Sequence, residues 1–529
     1  MSRWLHVGDV LRVNATMFPD KEGTGDLYRR LTFREWNERC NRLANALAAQ
    51  GLKKGDRIAI LAFNCLEWME IYGACAKGGF VAVPIMFRLT PVEYTYIVND
   101  AECAAFICEA PFVKDVDETK PDLTTIPADR YYFFGREAGP APTGYTHLED
   151  LFAAGDPGEP STVVDHADTW IIMYTSGTTG RPKGVVRTHE SLIAQYLTNI
   201  SALEFSAADR GLSVMPMCHI NSVYYSFVFT YVRGAALVYN STSFDPEHML
   251  KTLSEMRVTF TSLVPTHYIM MLSLPEEVKA KHNVDCVKKL MISSAPARRD
   301  TKLAIMDHFK NSQLYEAYGS TEAGLVTLLQ PSEQFDKLGS IGREIIGTDL
   351  IKLLDPDGVE VPVGEVGELY SRTPMVFSEY WKQPELTKQA FVGEHFSAGD
   401  MAYKDEEGYY YLVDRKKNMI ITGGENVYPS EVEDCVGGHT AVKDVAVIGV
   451  PDEKWGERVV AVVILHKDFQ ASPELAKEIT EFTKSKIAGF KRPKDILFIA
   501  EEEMPRTGTG KILHRKLRER FGHWADNKN

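Results

Sequence analysis

Helical periodicity opens the chain. Thr32 and Glu35 have capping-box spacing, Trp36, Cys40, Leu43 and Leu47 then recur on one helix face, and Gly51 stands where a C-cap belongs. Short apolar runs follow at 57–62, 80–85 and 104–108, with a helix start between the last two at Thr90-Pro91, proline taking the first helical position. Strands separated by helices of 10–20 residues predict βαβ units and a mostly parallel sheet. The same texture returns from Trp170 to about Gln330, with strand–loop–helix joints at 170–189, 290–296 and 314–324 and no repeat of fixed period.

From Gly339 to Val413 the runs shorten and turn signals multiply, as at Asp355-Pro356-Asp357-Gly358 and Glu406-Glu407-Gly408, which predicts antiparallel sheet or a small barrel. The charged run Asp414-Arg415-Lys416-Lys417 marks a boundary. Beyond it lie strands at 442–450 and 459–465, a helix from Ser472-Pro473 to about Ile487, and a basic tail at 506–520. The expected fold is α/β: a large N-terminal domain, residues 1–415, of βαβ-type layered sheets plus a small antiparallel barrel-like subdomain, and a smaller α+β C-terminal domain, residues 416–529.

Composition adds limits. With 529 residues the chain exceeds a single core, and 44% hydrophobic with 25% charged residues is ordinary for a globular protein. The net charge of −14 argues against a nucleic-acid partner. No signal-peptide pattern opens the chain, and the best apolar run, 227–238, contains Arg233 and is too short to span a membrane. Eight cysteines without a C-x-x-C pair suggest reduced thiols in a cytoplasmic protein.

The segment Tyr174-Thr175-Ser176-Gly177-Thr178-Thr179-Gly180-Arg181-Pro182-Lys183-Gly184 lies between an apolar strand and a helix starting near His189. Its glycines allow close backbone approach, its hydroxyls donate, and Lys183 adds a positive charge, so it can cradle a polyphosphate, although it matches neither the Walker A nor the G-x-G-x-x-G pattern. Glycine and hydroxyl content alone fits a flexible polar loop equally well. The whole string, however, resembles the phosphate loop of the adenylate-forming superfamily: acyl-CoA synthetases, luciferases and peptide-synthetase adenylation domains. Further elements stand in that superfamily's order: Glu316-Ala317-Tyr318-Gly319-Ser320-Thr321-Glu322, Gly339-Ser340-Ile341-Gly342, Gly367-Glu368-Leu369, Ala398-Gly399-Asp400, Asp414-Arg415-Lys416-Lys417, Gly423-Gly424-Glu425-Asn426, and Pro505-Arg506-Thr507-Gly508-Thr509-Gly510-Lys511. The resemblance covers nearly the whole chain and is closest to acyl- and aryl-CoA synthetases.

The resemblance implies ATP, Mg²⁺ and coenzyme A. A carboxylate attacks the α-phosphorus of ATP, and a thiol then displaces AMP. It assigns Thr321 to an α-phosphate oxygen, Glu322 to Mg²⁺, Asp400 and Arg415 to the ribose, and Lys511 to the adenylation step. The adenine slot falls to Tyr318 and its neighbours Glu316, Ala317 and Gly319, together with Ser294-Ala295-Pro296. There serines at 293 and 294 depart from the usual Gly-Gly-Ala-Pro, which bears on the adjoining acyl pocket. The small domain is expected to rotate about Lys417 between the two half-reactions, with Gly423 and Gly424 lining a pantetheine channel. Trp455, Phe490 and Arg492 match positions that meet the CoA nucleotide in some relatives, core packing being the other reading of Trp455. Arg515, Lys516, Arg518 and Arg520 read as a solvated helix face.

Met215 to Ser222 resembles the gating motif of acyl- and aryl-CoA synthetases, His219 contacting the substrate carboxylate or gating its pocket. Ile220 stands where peptide-synthetase domains carry the aspartate that binds an amino group, so an α-amino acid is not expected. The acyl pocket is expected from Val223, Tyr224, Tyr225, Thr266, His267 and Ser293, suiting a medium-sized apolar carboxylate: medium-chain fatty, aromatic or alicyclic. The acceptor is CoA, or alternatively a carrier-protein thiol or another acceptor, and a homodimer is left open. A hydrolase is disfavoured because no G-x-S-x-G elbow occurs, and a degenerate binding protein because the catalytic set is complete.

Overall fold

Successive residues of the strand Arg57–Leu61 go to different cores: Ile58 and Ile60 pack in one cluster, Ala59 and Leu61 in another. That period-2 split is what a sheet covered on both faces requires. The computed structural model describes residues 5–135, 139–175, 182–293, 297–422, 425–452, 455–484, 486–507 and 510–522. They fall into two compact units, Met1–Ile351 with Ser371–Ala398, and Lys352–Tyr370 with Gly399–Asn529.

The first unit holds two large sheets. One orders the strands Glu379–Tyr380, Lys183–Thr188, Thr169–Thr175, Val81–Ile85, Arg57–Leu61, Cys103–Glu109, Tyr131–Phe134 and Thr146–His147. The other runs Arg343–Glu344, Gly324–Leu329, Gln313–Ser320, Lys289–Ile292, Phe260–Leu263, Arg210–Ser213, Ala235–Val238, Glu22–Gly25 and Arg30–Thr32. Both are parallel at the centre and antiparallel toward the edge that carries the motifs. The largest cluster takes Ile58 from the first sheet, Phe260 and Met291 from the second, Trp36, Trp68, Tyr72 and Leu192 from helices, and Phe227 from the junction of two short helices. Its buried indoles find backbone acceptors, Trp170 Nε1 donating to Tyr72 O at 3.1 Å and Trp36 Nε1 to Met69 O at 3.1 Å.

Local signals act as expected. The helix Phe33–Ala49 opens on a complete capping box: Thr32 N donates to Glu35 Oε2 at 2.8 Å, and Glu35 N to Thr32 Oγ1 at 3.2 Å. The helix Pro91–Asp100 follows Thr90. The apolar run around Arg233 resolves into a short helix, Val228–Tyr231, and a buried strand, Ala235–Val238. No helix among the described residues is long and apolar enough to cross a membrane.

The second unit contains a four-stranded antiparallel sheet, Lys352–Leu354, Gly367–Tyr370, Asp400–Lys404 and Tyr410–Arg415. A second sheet is built on the long pair Val442–Asp452 and Gly456–Leu465. The antiparallel sheet expected between 339 and 413 is present, but it clusters with the C-terminal segment, so the boundary expected after Arg415 falls inside this unit. The reason is pairing: residues 352–370 hydrogen-bond to 400–404, while 371–398 return to the first unit through the strand Glu379–Tyr380 beside Lys183–Thr188. The helix expected from 473 to 487 stops at Phe482, where the Thr483 N–H turns back to Thr480 O and its hydroxyl donates to the same carbonyl at 2.7 Å.

Candidate functional site

Thr175 and Lys183 face each other in antiparallel register at the ends of the strands Thr169–Thr175 and Lys183–Thr188. They bracket the glycine-rich segment, whose residues Ser176, Gly177, Thr178, Thr179 and Gly180 lie outside the described residues. The second strand was not foreseen, since the loop was expected to lead straight to the helix, which does begin at His189. Thr175 Oγ1 is buried with no hydrogen-bond partner among the described residues.

Thr321 and Glu322 form the turn between Gln313–Ser320 and Gly324–Leu329, and both are buried. The turn is tight: a Cβ on Gly319 would stand 2.3 Å from the carbonyl of Gly324, so only glycine fits. Glu322 Oε1 lies 3.4 Å from Lys183 Nζ. Tyr380, a residue sequence reasoning passed over, bridges them, accepting from Lys183 Nζ at 2.5 Å and donating to Glu322 Oε1 at 3.1 Å.

A second unforeseen residue holds this turn from behind. The fully buried Arg187 guanidinium donates to Thr321 O at 2.6 Å, Met375 O at 2.8 Å, Tyr224 OH at 2.7 Å and Ser191 Oγ at 3.2 Å. Tyr224, expected to line the acyl pocket, in turn donates to Ser320 O at 2.9 Å, so its hydroxyl also holds the turn. An arginine within Val185-Val186-Arg187-Thr188 was the available signal, because a cation in an apolar strand must find its acceptors inside.

Tyr318 is half-buried on the same strand, and Ala317 packs against the large core. Ser294, Ala295 and Pro296 lie outside the described residues. The Glu316 carboxylate is buried 2.5 Å from the buried Lys302 ammonium. Burial pushes its pKa up, against the pull of Lys302 and of a hydrogen bond from the backbone of Ala297. Glu316 thus anchors the start of the segment after Pro296, and Lys302 shares a buried helix face with Ile305.

Around the expected acyl pocket, His219 caps the helix Ile220–Ser226, its Nδ1 accepting from Asn221 N at 3.4 Å. Asn221 Nδ2 donates to Ser293 Oγ at 2.9 Å, and Ser293 meets Ser262 Oγ at 3.1 Å. Val223 and Tyr225 are buried, and Thr266 is exposed. His267 stacks on Phe244 with centroids 4.0 Å apart; burial, reinforced by Arg88, holds its pKa down to about 4, so it is neutral at physiological pH.

In the second unit, Asp400 and Arg415 are register partners, with Arg415 Nε 2.7 Å from Asp400 Oδ1. Lys511 is solvent-exposed by area. Even so, crowding by surrounding protein atoms, then Arg415, lower its pKa, and Asp400 opposes them. The carbonyl of Lys417 accepts from Arg518 Nη1 at 3.1 Å, so Arg518, expected on a solvated face, is half-buried and tied to the chain at 417. Arg515, Lys516 and Arg520 are exposed. Gly423 and Gly424 lie outside the described residues. Trp455 and Phe490 are exposed, which removes the core reading of Trp455, and Arg492 donates to Lys484 O at 3.0 Å and Ile487 O at 3.3 Å.

The AMP-binding enzyme family matches residues 11–381, and the AMP-binding enzyme C-terminal domain matches 431–511. The chain belongs to the AMP-binding enzyme family. It is 34% identical over 521 residues to a long-chain-fatty-acid–CoA ligase, FadD13, of Mycobacterium tuberculosis, covering 98% of each chain. It is 33% identical over 513 residues to a fatty acid–[acyl-carrier-protein] ligase, ScoC, of Streptomyces coeruleorubidus, covering 94% of this chain and 92% of the relative. The solved structure of the anthranilate CoA ligase AuaEII with anthranoyl-AMP superposes with a TM-score of 0.87 at 26% identity, over 99% of both chains. The chain is therefore an adenylate-forming enzyme of the carboxylate–CoA ligase class, whose reaction uses ATP, Mg²⁺ and CoA.

The site fits that chemistry. No group of three or more His, Cys, Asp or Glu among the described residues is placed to hold a metal ion. A single carboxylate such as Glu322 suits magnesium held mainly by phosphates and water. The orphaned Thr175 hydroxyl and the Lys183 ammonium suit the phosphates themselves.

Because Arg187 satisfies three backbone carbonyls and a phenol at once, Arg187→Leu should leave several buried acceptors unpaired at about 1–3 kcal/mol each. The expected outcome is a lower urea midpoint for the first unit together with slower adenylation. Unchanged values of both would remove Arg187 from its role behind Thr321.

Proposed function

We propose that this enzyme activates a medium-sized apolar carboxylic acid with ATP, forming an acyl-adenylate and pyrophosphate, and passes the acyl group to coenzyme A. The observation that carries the reading is the convergence of Thr175, Lys183, Thr321 and Glu322 at one edge of the first unit. Negative charge accumulates on the α-phosphate and the departing pyrophosphate during adenylation, so fixed donors and cations supply most of the catalysis. Thr175, the glycine-rich segment and Lys183 take the phosphate oxygens, and Thr321 donates to the α-phosphate. Glu322 is the residue that would hold Mg²⁺, which when bound neutralises phosphate charge. Asp400 and Arg415 bind the ribose, and Tyr318 with its neighbours faces the adenine.

The functional division proposed is the one after Arg415, with Lys417 as hinge and its carbonyl tied to Arg518. Lys511, on the C-terminal part, contacts the carboxylate and α-phosphate during adenylation only. His219 borders the acid, and the apolar Val223 and Tyr225 line the acyl group. The polar Asn221, Ser262 and Ser293 close the same region. Trp455, Phe490, Arg492, Gly423 and Gly424 serve CoA. A second reading, in which a carrier-protein thiol replaces CoA, draws support from the likeness to ScoC.

Lys511→Ala should nearly abolish carboxylate-dependent ATP–pyrophosphate exchange while sparing thioester formation from supplied acyl-adenylate. Equal loss of both half-reactions would sink the assignment. Acyl transfer to CoA, and none to a carrier protein, separates the two acceptors in the same assay.

The direction of the Lys511 shift predicts a pH profile. Adenylation needs the ammonium, and a lowered pKa releases its proton sooner as pH rises, so exchange should fail below the ordinary lysine range near 10.5. An alkaline limb at or above that value would contradict it.

A further inference from the structure

Tyr380 belongs to none of the motifs that mark the nucleotide site, yet its hydroxyl sits between two of that site's charged groups. It lies on the strand Glu379–Tyr380, paired antiparallel to Lys183–Thr188 with Tyr380 opposite Val185. The residue is buried. Its phenol accepts from Lys183 Nζ at 2.5 Å and donates to Glu322 Oε1 at 3.1 Å. Lys183 Nζ also lies 3.8 Å from the centroid of its ring.

The segment carrying Tyr380 is fastened to the same turn. Phe377 N donates to Glu322 O at 2.6 Å, the Phe377 and Tyr380 rings pack with centroids 4.7 Å apart, and Tyr380 N donates to Thr387 Oγ1 at 2.9 Å. The phenol oxygen is therefore held from its own backbone and aimed at Lys183 and Glu322 together.

We infer that Tyr380 is a positioning residue for magnesium–nucleotide binding. Its O–H orients the Glu322 carboxylate through one oxygen, and its lone pair and ring face hold the Lys183 ammonium beside the phosphate segment until phosphate oxygens take that ammonium over. A phenol suits both tasks because it donates and accepts at one atom and stays neutral, adding no charge that would compete with the phosphates. When the ammonium moves to phosphate the phenol keeps its bond to Glu322, so the carboxylate that would hold the metal is fixed before and after nucleotide arrives. The inference rests on the proposed roles of Lys183 and Glu322.

Tyr380→Phe removes one oxygen and keeps the ring, so the fold should persist, with an unchanged circular dichroism spectrum. The expected Kd for ATP in the presence of Mg²⁺, by titration calorimetry, rises about tenfold, the loss of one hydrogen bond to a charged group. The KM for the carboxylate and the rate of thioester formation from supplied acyl-adenylate should stay within about twofold. In enzyme free of nucleotide and metal, competitive amine labelling at Lys183, read by mass spectrometry, should speed up in Tyr380→Phe. In a Glu322→Gln background the Tyr380→Phe change should weaken nucleotide binding by less than about threefold, because the bond it removes no longer meets a full negative charge.

Unchanged nucleotide affinity with unchanged Lys183 labelling would overturn the inference, as would equal loss in both half-reactions, the mark of a merely structural role. Wild-type enzyme that binds no ATP with Mg²⁺ would instead overturn the proposed function, so the two failures are distinguishable.

Discussion

The turn at Thr321 and Glu322 depends on one buried cation. Arg187 lies inside an apolar strand, fully out of solvent, and its guanidinium is stabilised by dipoles: three backbone carbonyls, a phenol and a hydroxyl. Such a group is tolerated only where every donor finds an acceptor. Satisfying it draws together four separate pieces of chain: the strand Lys183–Thr188, the helix Ile220–Ser226 through Tyr224, the turn 320–322, and the segment at Met375. The planar fork of arginine explains why this cation can serve acceptors in several directions, which a lysine ammonium could not do with comparable rigidity. Thr321 and Glu322 are therefore positioned by a polar knot beneath them and not by their own loop alone.

Much of this architecture was legible in the sequence because the signals were local. The capping box at Thr32 and Glu35, the apolar run at 57–62 and the turn chemistry after 339 each act within a few residues, and each appears where expected. The motif strings were legible for a different reason: glycine and hydroxyl residues in fixed order are dictated by close backbone approach, as the 2.3 Å clearance at Gly319 illustrates.

What escaped was non-local. Nothing near Tyr380 announces that a two-residue strand will pair with Lys183–Thr188 and deliver a phenol to Glu322. The same holds for Lys302, which meets Glu316 only because a helix and a strand pack together, and for Arg518, which reaches Lys417 across about a hundred positions. The grouping of the four-stranded antiparallel sheet with the C-terminal segment, and the return of 371–398 to the first unit, were hidden likewise, since pairing between distant segments leaves no periodic mark. Composition favoured reading the basic tail as a solvated face, and for Arg515, Lys516 and Arg520 exposure agrees.

The charge arrangement bears on how an acidic protein handles anionic substrates. The net charge of −14 provides no attractive field for ATP or CoA. Within the first unit the site cations are already engaged, Lys183 with Glu322 and Tyr380, and Lys302 with Glu316. Under the proposed reading a nucleotide enters by exchanging partners: phosphate takes the Lys183 ammonium, and the Glu322 carboxylate, still held by the Tyr380 hydroxyl, is the group that would hold the metal accompanying the nucleotide. Neither charge is left buried and alone at any stage, which avoids the several kcal/mol an uncompensated ion would cost. Under the same reading a bare anion of similar size would bring no metal for Glu322 and would leave that carboxylate without a cation, so the ion pair would favour the metal-bound nucleotide over phosphate alone.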